Sequence, residues 1–75
     1  MYNYIGIDVS KQTLKVFDET KEYEVPNERG TKTLKKLVKR NYGKEWRDVR
    51  LIYEPTGPYS NYLREFAYEN ELKVY

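Results

Sequence analysis

The feature that most constrains the fold of this chain is an apolar run that occurs twice and ends each time on a carboxylate. The first run, from Tyr2 to Val9, is rich in β-forming residues and carries Asp8 just before a turn. The second run, from Asp48 to Tyr53, is followed by Glu54, which Pro55 excludes from the helical region. Each run therefore predicts a strand that delivers an acidic side chain to the end of a sheet.

The periodicity of apolar residues predicts a β-β-β-α-β-α-β order within one domain of 75 residues. Three short strands joined by tight turns form an antiparallel meander. Asn27 is the predicted N-cap of the first helix, and Pro58 the first residue of the second. A right-handed crossover returns the fourth strand parallel to the first. The predicted elements are strands at 2–9, 13–17 and 22–25, a helix at 28–42, a strand at 48–53, a helix at 58–70 and a strand at 72–75.

Both helices carry an apolar stripe that is expected to face the sheet. In the first helix the stripe consists of Leu34, Leu37, Val38 and Tyr42. In the second it consists of Tyr59, Tyr62, Leu63, Phe66 and Ala67. The two stripes predict a core between the helices and the sheet.

Composition limits the chemistry that is available. The chain contains no cysteine and no histidine, which excludes disulfides, thiolate–zinc sites and the usual general base. Carboxylates, hydroxyls and amines remain, and the oxygen ligands among them suit Mg²⁺ or Mn²⁺. No apolar stretch approaches the ~20 residues of a membrane span, and the N-terminus lacks a signal-peptide pattern. We therefore expect a cytoplasmic protein that has no membrane partner.

Asp8 and Glu54 are the candidate catalytic and metal-binding residues. If the first and fourth strands are parallel neighbours, their carboxyl ends share the sheet edge where open α/β sheets place their sites. Two ionised carboxylates held close together repel each other unless a proton or a cation intervenes. Taken singly, Asp8 is explained as a turn cap and Glu54 as a solvated strand end. Taken together, they favour half of a divalent-metal site, which needs further oxygen ligands.

The first predicted helix has a basic outer face. Its cations follow one another without an acidic residue between them: Lys32, Lys35, Lys36, Lys39 and Arg40. A solvated face with lysine stems covering apolar surface and a phosphate-contacting patch explain this pattern equally well. Lys11, in the turn after Asp8, either pairs with Asp8 or steers a phosphate, although a lysine in a turn is more often simply solvated. Trp46 is expected to pack against the core rather than to stack on a nucleic-acid base.

Three motifs together give the chain a family resemblance. They are IGIDVSK at Ile5–Lys11, Val25-Pro26-Asn27 before the first helix, and EPTG at Glu54–Gly57 followed by Tyr59. In this order and spacing, the chain resembles the N-terminal region of the DEDD-type transposases of the insertion sequence 110 family, relatives of the Piv DNA invertase. The resemblance extends over essentially the whole chain.

The resemblance implies an α/β fold with a ribonuclease H-like (RuvC-like) mixed sheet, truncated before the C-terminal helix. Residues 1–75 would be the N-terminal part of the catalytic domain. Asp8 resembles the first, and Glu54 the second, of four acidic residues that bind Mg²⁺ or Mn²⁺ for DNA strand cleavage and exchange. The other two acids, and a domain with a catalytic serine, would follow Tyr75, so this chain alone is expected to be inactive. DNA is the implied partner, together with an element-encoded guide RNA that chooses sites.

Two other functions remain open from the sequence. Actin-like ATPases and sugar kinases share the ribonuclease H-like core, but they bind phosphate on a glycine- and threonine-rich turn, whereas the turn here is Val9-Ser10-Lys11. A non-catalytic nucleic-acid-binding module would use the basic helix face and would not need Asp8 or Glu54. An exposed edge at the last strand also makes a homodimer reasonable.

Overall fold

Five strands form one mixed sheet in the computed structural model, which describes residues 3–19, 21–54 and 57–74. The strands are β1 (Asn3–Val9), β2 (Thr13–Phe17), β3 (Glu22–Pro26), β4 (Val49–Ile52) and β5 (Lys73–Val74). They lie in the order β3-β2-β1-β4-β5 across the sheet. The meander β1-β2-β3 is antiparallel. β4 lies parallel to β1, and β5 lies parallel to β4, so the predicted adjacency of the first and fourth strands is confirmed.

Both helices pack on the same face of this sheet. The helices are α1 (Lys32–Tyr42) and α2 (Asn61–Glu69). Short 3-10 helical segments follow α1 at Gly43–Asp48 and precede α2 at Gly57–Ser60. One apolar cluster joins the helices to alternate strand residues, and its members are Ile5, Ile7, Val9, Leu14, Val16, Val25, Leu34, Leu37, Val38, Val49, Leu51, Leu63, Phe66, Ala67 and Leu72. Neither described helix is long and apolar enough to cross a membrane.

The predicted start of α1 is wrong by four residues, because the backbone before it is left-handed. Gly30 has φ 81° and Thr31 has φ 46°, and two consecutive residues with positive φ cannot continue a right-handed helix. Thr31 therefore occupies the N-cap position, although its side chain makes no capping hydrogen bond. Asn27, the predicted cap, has its amide engaged elsewhere.

The predicted start of the second helix is also wrong in detail. Pro58 lies in the 3-10 segment, and regular α-helix begins only at Asn61. A 3-10 segment has three residues per turn, so it does not continue the α-helical stripe, and Tyr59 is 44% exposed instead of facing the sheet. The predicted inward positions Leu63, Phe66 and Ala67 are buried as expected.

The other face of the sheet is not covered by either helix. Its side chains include Tyr4, Phe17 and Ile52, which are between 43% and 50% exposed. Asp8 belongs to this same open face, since it alternates along β1 with the buried residues Ile7 and Val9. The fold thus buries the centre of one sheet face under the helices and presents the candidate acidic residues on the other face.

Candidate functional site

A groove on the open face of the sheet is centred on Gly6. Gly6 pairs with Phe17 on one side and with Ile52 on the other, so three neighbouring strands meet at a position without a side chain. The side chains of Phe17 and Ile52 border the gap on either side. The groove has a volume of about 410 Å³. A Cβ added at Gly6 would lie 4.0 Å from the Cβ of Phe17, which is an ordinary contact. Glycine here leaves the groove open rather than relieving a clash.

Asp8 and Glu54 line this groove together. β1 and β4 are paired in parallel from Asn3–Val49 to Gly6–Ile52. β4 ends at Ile52, two residues before Glu54. Extending the parallel register by two residues would set Glu54 opposite Asp8, at the roughly 5 Å spacing of neighbouring strands. Both side chains are exposed, so neither carboxylate bears the desolvation cost of burial. The structure therefore brings the two predicted site residues to the same end of the sheet, where the neighbouring strands β1 and β4 finish.

Asn27 holds the chain segments that follow the two acidic residues. Its side-chain Nδ2 donates to the carbonyl oxygen of Ser10 at 2.8 Å and to that of Tyr59 at 2.8 Å. Its backbone N–H donates to the carbonyl of Gln12 at 2.9 Å. One amide thus links the turn after β1 to the segment that leads into α2. This role of Asn27 is not visible in the sequence, because an asparagine that bridges distant segments resembles a helix cap when only its neighbours in the sequence are known.

The turn after Asp8 is closed by its own hydrogen bonds. The Ser10 hydroxyl donates to the carbonyl of Thr13 at 2.9 Å, and the Ser10 backbone N–H reaches the same carbonyl at 3.0 Å. The Thr13 N–H in turn donates to the Ser10 Oγ at 3.3 Å. These donors are therefore engaged within the turn rather than aimed at a ligand. Lys11 is exposed in this turn and forms no ion pair with Asp8.

Lys15 is the nearest cation to the pair in the strand register, and the sequence analysis did not single it out. It lies opposite Asp8 on β2, and Glu24 of β3 lies opposite Lys15 in turn. Across the open face the charges therefore alternate as Glu24, Lys15 and Asp8, with Glu54 next to Asp8. A cross-strand lysine reduces the repulsion between the two carboxylates while no cation is bound.

The donor set fits a hard divalent cation in kind but supplies only part of a coordination shell. Two carboxylates in one open groove are the oxygen ligands that Mg²⁺ and Mn²⁺ prefer. Within residues 3–19, 21–54 and 57–74, no group of three or more acidic, histidine or cysteine side chains is arranged to hold a metal. Asp8 and Glu54 would thus provide two ligands and would leave the remaining positions to water or other groups.

Tyr53 borders the groove beside Glu54 and packs partly against the core. Burial raises the pKa of its phenol above the ordinary value of 10.0, and the positive charge of Arg64 opposes this shift. Tyr53 follows Ile52 in the alternation of side chains, so its phenol lies on the helix-covered side of the sheet, near Arg64. It therefore supports the segment that carries Glu54 rather than taking part in the chemistry of the groove.

The basic face of α1 lies on the other side of the molecule from the groove. Its five predicted cations are all on the solvent side of the helix, opposite the buried Leu34, Leu37 and Val38. Trp46 packs against the core, as expected, but it also carries cations on its ring. The Nζ atoms of Lys35 and Lys39 lie 5.8 Å and 5.0 Å from the ring centroid. The guanidinium carbon of Arg47, which the sequence analysis did not consider, lies 5.3 Å from it.

Comparison of the chain with protein-family models gave no match, and comparison with curated proteins gave none.

Proposed function

We propose that residues 1–75 are the N-terminal part of the ribonuclease H-like catalytic domain of a metal-dependent DEDD transposase. Such a protein cleaves and exchanges DNA strands during transposition. One observation supports this function above the others: Asp8, near the end of β1, and Glu54, two residues after the end of the neighbouring parallel strand β4, line one groove. The IGIDVSK and EPTG motifs, on which the resemblance rests, contain these same two residues.

In this function, Asp8 and Glu54 would hold Mg²⁺ or Mn²⁺ together with two further acids outside the 75 residues. When bound, such ions activate water and stabilise the oxygen that leaves in phosphoryl transfer. Asn27 fixes the two chain segments that follow Asp8 and Glu54. The gap at Gly6 leaves space for a strand of DNA to approach the two carboxylates. Phe17 and Ile52 border that space with apolar surface. The chain alone is expected to be inactive, since it has two of the four acids.

The nucleotide-binding function of actin-like ATPases has less support. That function needs backbone N–H groups of the first turn to point at a phosphate. Here the N–H groups of Ser10 and Thr13 donate to oxygens within the turn.

The partners of the proposed transposase are DNA and an element-encoded guide RNA, and its compartment is the cytoplasm. A homodimer through a sheet edge stays a prediction. In the structure β5 pairs with β4 of its own chain, so the edges of the described sheet are β3 and β5.

The direct test is to read the coding region beyond Tyr75 and to assay the whole product. We expect two aspartates close together, and cleavage of DNA that requires Mg²⁺ and falls at least 100-fold in Asp8→Asn and in Glu54→Gln. The matched control is Glu24→Gln, which removes a carboxylate from the same sheet face but not from the groove. Full activity in Asp8→Asn would contradict the proposal. Mg²⁺-dependent cleavage by residues 1–75 alone that Asp8→Asn abolishes would overturn the expectation that this chain alone is inactive.

A further inference from the structure

The positive charge of this chain is concentrated in one segment, residues 32–47. The segment has seven of the 14 lysines and arginines but only one of the 12 acidic residues. The rest of the chain has seven lysines and arginines and eleven acidic residues. The net charge is therefore −4 outside the segment and +6 within it. The modest overall charge of +2 therefore conceals a strong separation of charge. A polyanion approaching this molecule is attracted to one side and repelled by the rest.

The centre of the positive side is Trp46. Lys35, Lys39 and Arg47 all have their charged groups within 5.8 Å of its ring centroid. Because each charge lies within 5.8 Å of the same ring centroid, no two of them are more than about 11 Å apart. This distance is close to the ~10 Å Debye length at 0.1 M salt, so the electrostatic potentials of the three cations add. None of the three forms an ion pair with a carboxylate in the described part of the chain. The ring holds three cations together that would otherwise repel one another.

Helix stability does not account for this arrangement. Cations stabilise the last turn of a helix, which explains Lys39 and Arg40, but they are unfavourable in the first turn. Lys32 begins α1, and that first turn contains no acidic residue. The row of cations on α1, from Lys32 to Arg40, extends for about 12 Å along the helix axis. An equal length of duplex carries about seven phosphate charges.

We propose that the outer face of α1, together with Trp46 and Arg47, is a docking surface for the phosphate backbone of a nucleic acid. Lys35, Lys39 and Arg47 contact the phosphates, and Lys32, Lys36 and Arg40 extend the contact along the helix. Trp46 is a positioning residue that orders the cations, since its ring is already occupied by them. The surface is on the opposite side of the sheet from Asp8 and Glu54. It therefore binds a segment of nucleic acid other than the one in the groove, and it does not depend on the proposed catalytic function.

Trp46 is the only tryptophan in the chain, so intrinsic fluorescence reports on this surface directly. The experiment is a titration of the 75-residue chain with a DNA duplex of about 20 base pairs, from about 50 to about 200 mM salt. We expect saturable binding that perturbs the Trp46 emission. The logarithm of the affinity should fall with the logarithm of the salt concentration with a slope of about −3 to −5, as about 0.9 per neutralised phosphate requires.

The decisive comparison uses two triple variants of equal charge. Lys35→Gln/Lys39→Gln/Arg47→Gln removes the cations around Trp46, and Lys21→Gln/Arg64→Gln/Lys73→Gln removes three cations elsewhere. Each removes three charges from a net +2 and leaves −1. We expect the first to lose at least ~10-fold in affinity and about three units of salt slope, and the second to lose less than ~3-fold. Circular dichroism checks the fold of both variants.

Equal losses in the two triple variants would overturn the proposal, because binding would then follow net charge alone. An unchanged affinity in the first variant, measured by anisotropy of a labelled duplex, would overturn it too. So would binding to vesicles containing phosphatidylserine that is as tight as binding to the duplex. Asp8→Asn/Glu54→Gln separates this surface from the groove: retained binding in that variant supports the proposal even if the catalytic function fails, and lost binding contradicts it.

Discussion

At the scale of single residues, the side chains that organise the site are not those that carry its chemistry. Asn27 bonds two carbonyl groups, those of Ser10 and Tyr59, which lie 17 and 32 positions away in the sequence. Its own Oδ1 is buried and has no hydrogen-bond partner among the described residues. The Asn27 amide therefore ties to each other the two segments that follow the candidate acids.

Asn27→Ala is expected to destabilise the fold by about 1–3 kcal/mol, because it leaves two carbonyl groups without their donor. Urea unfolding followed by Trp46 fluorescence measures the change. The matched control is Asn41→Ala, which removes an exposed amide whose bond to Asp18 is 3.5 Å long. A control variant that lost as much stability as Asn27→Ala would show that the bridge contributes nothing of its own.

Tyr42 gives the fold a dependence on alkaline pH. Burial raises the pKa of its phenol above 10.0, and the negative charges of Asp18 and Glu19 raise it further. The folded state thus holds this proton more tightly than the unfolded state does. The protonated Tyr42 phenol therefore contributes fully to the free energy of unfolding below a pH of about 10. This contribution is lost as the pH rises through the pKa of the phenol in the folded state.

We therefore expect the free energy of unfolding to fall above a pH of about 10, and to fall less steeply in Tyr42→Phe. Denaturant titrations at a series of pH values measure both slopes. Tyr68→Phe, at a side chain that is 85% exposed, should leave the slope as in the wild-type chain. Identical slopes in the wild type and Tyr42→Phe would rule out this assignment.

At the scale of elements, the sequence was sufficient for what depends on local pattern. Alternation along β1 and β2 identified the buried face, whereas β4 ends at Ile52, one residue before the predicted end at Tyr53. The crossover rule predicted that β4 runs parallel to β1, and the candidate site depended on the further condition that the two strands are neighbours, which the sheet order confirms. The pattern of apolar and polar residues did not reveal features that depend on backbone dihedral angles or on contacts between residues far apart in the sequence. The left-handed pair Gly30-Thr31 and the cations on Trp46 belong to this second class.

The end of α1 depends on a glycine. Gly43 has φ 55° and ψ −127°, a region that residues with a Cβ avoid, and its N–H donates to the carbonyl of Lys39. Gly43→Ala should cost about 1–3 kcal/mol, although nothing lies within 4 Å of the added Cβ. The penalty is therefore one of backbone conformation, and thermal or urea unfolding measures it.

Gly6→Ala is the matched control for this substitution. It makes the same chemical change on β1, where the new methyl group meets only an ordinary contact. We expect a change within about 0.5 kcal/mol. If Gly6→Ala were the more damaging of the two, the groove at Gly6 would be tighter than the structure describes.

At the scale of the whole molecule, the fold places the basic face of α1 and the pair Asp8 and Glu54 on opposite sides of the sheet. The helices cover one face of the sheet and α1 turns its cations outwards, while the other face presents the groove with the two carboxylates. A nucleic acid on α1 and a divalent cation in the groove would thus be held on opposite sides of a single sheet. The charges on each side suit one ligand and disfavour the other.

The central claim is that Asp8 and Glu54 form one cation site. The measurement that tests it most directly is a Mn²⁺ titration of the ¹⁵N-labelled chain by nuclear magnetic resonance, since Mn²⁺ broadens the signals of nearby amides. We expect preferential broadening at Asp8, Val9, Tyr53 and Glu54, and its loss in both Asp8→Asn and Glu54→Gln. Broadening concentrated at Asp18 and Glu19, or unchanged in either variant, would contradict the claim.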